Sequence, residues 1–312
     1  MMAPPDRRPR SMSSDTQPAL RVKWMEGERA HALRIQGGKR IAGAHALDGL
    51  WEPGDAQWWW STCPTTDWPP VAVALDDGDA PVIASLLVRG RDAWTCEVAW
   101  LRRHDRGSRK VVAMMAGAAV EQARTARCAL HFLVHERDEW LSRCLEGLGL
   151  SYDNDATIVQ YVAALRGEPA AAAVPFGYIV TDDTARVAGV AHPLARRNGA
   201  QIAERLASCA HYRRDLDLRV VDDGGAVAAY CLVWFDADRG VAMLEPVRTE
   251  DAHQRRGLAR VLTQEGLRRA HAAGAAWMKV GAHASNAAAC KLYESCGFTP
   301  VWRKLGFRYA PH

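Results

Sequence analysis

The sequence predicts an α/β protein of two tandem units, each a mixed, mostly antiparallel sheet flanked by helices. Three observations carry this expectation. The same order of elements is written twice, apolar runs of strand length alternate with helical patterns, and a Pro- and Ala-rich stretch separates the copies.

In the first copy, a turn and strand in "DDGDAPVIASLLV" (Asp76 to Val88) lead to a second strand, "TCEVAWL" (Thr95 to Leu101). The second copy repeats the pair as "DDGGAVAAYCLV" (Asp222 to Val233) and "VAMLEPV" (Val241 to Val247). A glycine-containing loop and a helix follow each hairpin. Then come a strand, "ALHFLV" (Ala129 to Val134) or "AWMKVGA" (Ala276 to Ala282), and a short helix closing in Gly149-Leu150 or Gly297-Phe298. The pairs Gly78/Gly224, Gly107/Gly257 and Gly149/Gly297 lie 146, 150 and 148 residues apart. Chance does not hold an offset that steady through five elements, so the chain reads as an internal duplication. The expected division is a tail at 1–19, a first unit at 20–165, a linker at 166–176 and a second unit at 177–312. The linker stretch "RGEPAAAAVPFG", Arg166 to Gly177, lacks periodicity, as a connection between compact units does.

Composition narrows the function. With 48% apolar and 24% charged residues the chain reads as an ordinary soluble globular protein. A formal charge of +4 is mild and unlike the concentrated basic patch of a nucleic-acid binder. None of the eight cysteines forms a Cys-x-x-Cys pair, which predicts reduced thiols, no disulfide framework and no metal site. The longest nearly apolar stretch, Val111 to Val120, is too short to span a bilayer, so no membrane partner is expected. The basic, Pro- and Ser-rich start has no apolar core of a signal peptide, and the expectation is a disordered tail on a cytoplasmic protein.

The informative stretch is "EPVRTEDAHQRRGLARVL", Glu245 to Leu262. Ala259, Leu262, Gly266, Leu267 and Ala270 share one helical face, so the loop ending at Gly257 feeds a helix N-terminus. Backbone N–H groups there have no intrahelical partner and the helix dipole is positive, which suits phosphate or pyrophosphate. A plain helix start with solvated arginines has the same local pattern, and the context decides between them.

That context is "SNAAACKLYESCGF", Ser285 to Phe298, which begins 26 residues after Ala259. Gln-x-x-Gly-x-Ala after a strand, then Asn and Tyr on a short helix ending in Gly-Phe, resembles the GNAT superfamily of acyl-CoA N-acyltransferases. The likeness covers roughly Ala226 to Phe307, and the doubled architecture is similar to the tandem GNAT proteins, mycothiol synthase among them. The resemblance implies acetyl-CoA as co-substrate and no metal. It implies that the backbone of Val247, Arg248 and Thr249 bonds the pantetheine arm. It implies also that Gln254, Arg255, Arg256, Gly257, Leu258, Ala259 and Arg260 hold the pyrophosphate, and that Asn286 touches the pantetheine. Tyr293 would protonate the departing thiolate; its other reading is a packed core aromatic. Ala259 stands where the family more commonly has glycine, which narrows the cradle slightly.

The reaction also needs a base, because an amine is mostly ammonium at neutral pH. Glu245 is the candidate: a carboxylate within an apolar strand is costly unless used, and Pro246 marks a bulge or splay. The alternation of Met243, Glu245 and Val247 also allows a solvent-facing side chain. Asp215 and Asp217 read as solvated strand-end carboxylates, with a cationic amine as their alternative partner.

The first copy looks worn. It has His104 for Gln254, Arg109 for Ala259, Asp138 for Asn286 and Leu145 for Tyr293, although Glu97 parallels Glu245. An aspartate repels phosphate and a leucine donates no proton, so a structural role for this unit is expected. The cluster Trp58, Trp59, Trp60 and Trp68 reads as core or interface packing rather than ligand stacking. The expectation is an acetyl-CoA-dependent N-acetyltransferase, monomeric or homodimeric, working by direct transfer in a ternary complex. Its acceptor is the primary amine of a small molecule: a mycothiol-precursor-like, antibiotic or other metabolite amine. The alternatives are a protein N-acetyltransferase and a non-catalytic acyl-CoA sensor or scaffold.

Overall fold

The computed structural model describes residues 21–27, 29–30, 32–33, 71–75, 81–89, 93–100, 109–187 and 189–311. The tail at 1–19, the tryptophan cluster and the first glycine loop with His104 and Gly107 lie outside them, as does the side chain of Glu97.

Twelve described strands form one sheet. In the first unit they are β1 (Arg21–Met25), β2 (Val71–Leu75), β3 (Pro81–Arg89), β4 (Ala93–Trp100), β5 (Ala129–His135) and β6 (Ser151–Ala164). In the second they are β7 (Tyr178–Asp182), β8 (Asp217–Asp222), β9 (Val227–Asp236), β10 (Val241–Thr249), β11 (Trp277–His283) and β12 (Thr299–Tyr309). Helices α1 (Arg109–Thr125) and α2 (Glu139–Gly147) belong to the first unit. Helices α3 (Ala195–Asn198), α4 (Ile202–Ala207), α5 (Leu258–Ala272) and α6 (Ala287–Ser295) belong to the second. Within the sheet only β4·β5 and β10·β11 are parallel, each pair joined through its crossover helix, α1 or α5. The mixed, mostly antiparallel expectation is met.

The duplication is visible in the caps. Asp138 caps α2 by accepting from the Leu141 N–H, and Asn286 caps α6 by accepting from the Ala289 N–H. Both satisfy an orphan donor of a first turn. Leu145 and Tyr293 then occupy matching buried positions on their helices.

The strand order, β1-β2-β3-β4-β5-β12-β6-β11-β10-β9-β8-β7, departs from a linear division of the chain. Each unit gives its last strand to the other: β6 pairs with β11, β12 pairs with β5, and the two exchanged strands pair with each other. The side chains follow. Val159, Tyr161 and Ala163 of β6 sit in the core of the second unit, while Phe307 and Tyr309 of β12 sit in that of the first. Gly306 makes the crossing possible, because an added Cβ would lie 2.6 Å from the Ala156 side chain and 2.8 Å from the Asp153 carbonyl oxygen. The sequence boundary near residue 165 therefore divides the chain but not the sheet.

In the second unit the two sheet faces are covered differently. Leu244, Val233 and their neighbours pack under α5, which approaches closely because Gly266 has no side chain: an added Cβ would lie 3.2 Å from Leu244. Tyr230, Leu232, Trp234 and Met243 pack against α4 on the opposite face.

Candidate active site

β10 opens a wedge in the sheet. It pairs with β11 only from Val241 to Leu244, whereas β11 runs on to His283 along β6. Against β9 the register of β10 slips between Leu244 and Val247, so Glu245 and Pro246 form a bulge. Val247, Arg248 and Thr249 resume pairing with β9 on one side only. An antiparallel strand turns alternate backbone groups outward, so this segment offers unpaired N–H and C=O groups to the wedge.

Glu245 lies at the bulge. Its carbonyl oxygen accepts from the Trp234 indole N–H at 2.7 Å, which fixes the backbone, while its half-buried carboxyl makes no ion pair among the described residues. Burial pushes the carboxyl up to about 7, against the pull of Arg248. A carboxyl at that value changes protonation near neutral pH, as a general base does. Burial, reinforced by Glu245, pushes the Tyr293 phenol above its usual range, so the two groups sense each other electrostatically. Tyr293 is 6% exposed, with its ring edge-on to Phe298 at 5.9 Å and tilted to Tyr161 at 6.1 Å. It is a packed aromatic whose hydroxyl stays protonated.

At the far end of the wedge, Gly257 caps α5 in the left-handed conformation, φ 82°, and the first intrahelical bond is Val261 N–H to the Gly257 carbonyl. The N–H groups of Leu258, Ala259 and Arg260 consequently have no intrahelical acceptor. An added Cβ on Gly257 would meet nothing within 4 Å, so the space before the helix is open. Side chains in the loop are partly committed: Gln254 donates to Asp251, and Arg256 donates at 3.0 Å to the Tyr178 hydroxyl, which also bonds His253. The cradle is therefore mostly backbone, with Arg255 and Arg260 exposed beside it. The open backbone edge and these orphan donors fit the pantetheine and pyrophosphate of an acyl-CoA. Asn286 is exposed and spends its side-chain oxygen on the α6 cap, leaving its amide N–H groups for a ligand.

The family comparison now decides. Residues 203–298, about a third of the chain, match the model of the Acetyltransferase (GNAT) family. That stretch, inside the second unit, reads as a GNAT acetyltransferase domain. The whole chain resembles solved structures at low identity, which speaks to fold alone. A tandem GNAT protein from the clavulanic acid biosynthesis pathway, solved without acetyl-CoA, is 15% identical with TM-score 0.66, over 93% of this chain and 98% of that one. A GCN5-related N-acetyltransferase from Sphaerobacter thermophilus is 16% identical with TM-score 0.62, over 93% and 95%. A GNAT-family acetyltransferase from Colwellia psychrerythraea is 13% identical with TM-score 0.55, over 93% and 99%. No curated protein matches the chain.

The two aspartates part company. Asp215 pairs with Arg213 and is exposed enough to be solvated. Asp217 corrects the reading as a solvated strand end: it is 1% exposed and accepts from Tyr212 at 2.7 Å and bonds His192 at 2.6 Å. Neighbouring Asp183 is also buried. Burial opposes its charge, but Arg186, Arg219 and Arg214 hold its carboxyl down to about 2. Asp183, His192 and Asp217 lie close enough to suggest a metal site, yet the guanidiniums already neutralise Asp183 and the imidazole is spent on Asp217. The network joins the start of the second unit to β8 and is structural.

In the first unit Arg109 reaches across to α2, with its guanidinium 5.4 Å from the Trp140 ring centroid. The matching residues of the second unit are Ala259 and, two after the cap, Ala288. The cation–ring contact of the first unit thus has no counterpart at these positions of the second. Sequence reasoning missed Tyr161, beside Tyr293, and Tyr178, which anchors the loop. Neither carries a motif, and both arrive through tertiary structure.

Proposed function

We propose that the second unit transfers the acetyl group of acetyl-CoA to the primary amine of a small molecule, directly within a ternary complex. The observation that carries this is the Glu245 carboxyl, raised to about 7 at the mouth of a sheet wedge and coupled by charge to Tyr293. Acetyl-CoA supplies the activated thioester. Val247, Arg248 and Thr249 align the pantetheine, while the backbone at Leu258, Ala259 and Arg260 neutralises the pyrophosphate. Glu245 accepts the proton that an ammonium must lose before its lone pair can attack. Tyr293 faces the leaving sulfur as a hydrogen-bond donor. Even an unperturbed phenol lies about 1.5 pK units above a thiol, so full proton transfer is about 2 kcal/mol uphill. Burial increases that gap, and charge stabilisation of the sulfur by the O–H dipole carries the role.

In this reading Asn286 borders the pantetheine and the first unit is a structural partner without its own cofactor site. The division at 1–19, 20–165, 166–176 and 177–312 describes gene duplication, overlaid by strand exchange. No helix among the described residues is long and apolar enough to cross a membrane, and no disulfide joins the seven described cysteines. Both fit the cytoplasm. The test is a screen of amines and lysine peptides with acetyl-CoA, read as free thiol release. Turnover confined to small amines supports the proposal; turnover on peptides alone replaces it with a protein acetyltransferase.

A further inference from the structure

The bulge at Glu245 takes that residue's carbonyl out of the sheet ladders. Glu245 and Pro246 fall in the gap of the β9·β10 register, and the pairing of β10 with β11 ends at Leu244. A half-buried carbonyl left without a donor is destabilising. Trp234 of β9 supplies the donor through its indole N–H, at 2.7 Å. A phenylalanine would fill similar space but has no N–H to give.

Trp234 is itself held in place. It is 1% exposed, packed with Leu194, Ile202, Leu206 and Met243, and it stands directly opposite Met243, two residues before Glu245. A packed path therefore runs from α4 through the indole to the backbone of the bulge. The first unit is the natural control. There Glu97 stands opposite Leu86 in a ladder with no register slip over the described pairs of β3 and β4. Two residues before Glu97, Thr95 stands opposite Val88, so the position matching Trp234 carries no side-chain donor. Bulge and indole occur together in the unit that has Tyr293, and neither occurs in the unit that has Leu145.

We propose that Trp234 is a positioning residue for the general base, holding the bulge so that the Glu245 carboxyl stays placed against the acceptor amine. This rests on the transferase reading given above. Trp234 acts through the Glu245 backbone and touches no reacting atom. The charged and titratable groups that act on the carboxyl are Arg248 on its own strand and Tyr293 on α6.

Trp234→Phe tests the proposal, because it removes the donor and keeps most of the packing. Misplacing a catalytic group by about 1 Å costs on the order of a hundredfold, so kcat should fall by about tenfold or more. Acetyl-CoA affinity in calorimetry should not change, since Val247, Arg248 and Thr249 keep their pairing with β9. A loosened carboxyl gains water, which favours its charged form, so the ascending limb of the kcat profile should move down by about half a pH unit or more. An unchanged kcat or an unmoved limb would overturn the proposal, even with a lower unfolding midpoint, because Trp234 would then only pack. If Trp234→Phe does not fold, benzothienylalanine at position 234 replaces the N–H by sulfur at constant shape and is read in the same way. If no amine is acetylated, the transferase reading fails, and carbon NMR still follows the Glu245 carboxyl, identified by its loss in Glu245→Gln. Its titration midpoint should lie near 7 in wild type and lower in Trp234→Phe; equal midpoints would overturn the positioning role.

Discussion

Replacing Glu245 by Gln should separate stability from catalysis. A carboxyl held at about 7 instead of its ordinary 4.5 is poorly served by its surroundings when ionised. At about 1.4 kcal/mol for each tenfold, the penalty is about 3.5 kcal/mol. The native state binds the extra proton between about pH 4.5 and 7, so stability falls as pH rises through that window. The penalty is complete above pH 7 and absent below 4.5. Glu245→Gln keeps the shape and removes the charge. It should therefore be more stable than wild type by up to about 3.5 kcal/mol at pH 8 and show no such gain at pH 4.5, as measured by urea unfolding. The rate should move the other way: removing a general base costs about a hundredfold to ten-thousandfold near neutral pH. That deficit should shrink as pH rises, since more of the amine arrives neutral. Wild-type turnover should show an ascending limb centred near pH 7. A stability difference that is the same at pH 4.5 and 8 would refute the raised carboxyl. A rate deficit constant across pH would make Glu245 a positioning residue.

Tyr293→Phe should reduce turnover about a hundredfold while leaving acetyl-CoA affinity intact, because only the hydroxyl is lost; an unchanged rate would exclude the tyrosine from sulfur departure. Calorimetry should find one acetyl-CoA site per chain, removed by Gly257→Glu, which strains a left-handed residue and puts a carboxylate where phosphate belongs. Two equivalent sites would refute the reading of the first unit. Gly306→Ala should destabilise the whole chain by several kcal/mol, since the new Cβ meets the Ala156 backbone at 2.7 Å. Residues 166–312 alone should fail to give a soluble fold, having lost β6 from between β11 and β12; a cooperative, soluble fragment would count against the exchange.

The sequence by itself determined most of the elements and singled out the loop before α5. Glycine spacing revealed the duplication, helical periodicity from Ala259 to Ala270 located α5, and Pro246 marked the bulge, because each is a local property of backbone and side chain. Glu245 stood out as a carboxylate within an apolar strand and Tyr293 through its motif, yet parity along β10 left the direction of Glu245 undecided. The register slip at this point breaks the alternation that such counting relies on. Asp217 looked solvated because nothing nearby in sequence reveals that His192 and Tyr212 will enclose it. Only the tertiary structure decided which sheet each last strand joins. β6 and β12 have ordinary strand patterns and would pair well with many neighbours, and pairing partners far apart in the chain leave no mark on local composition. The choice follows from packing: Tyr161 fills space beside Tyr293, Phe307 fills space in the first core, and Gly306 lets the strands cross.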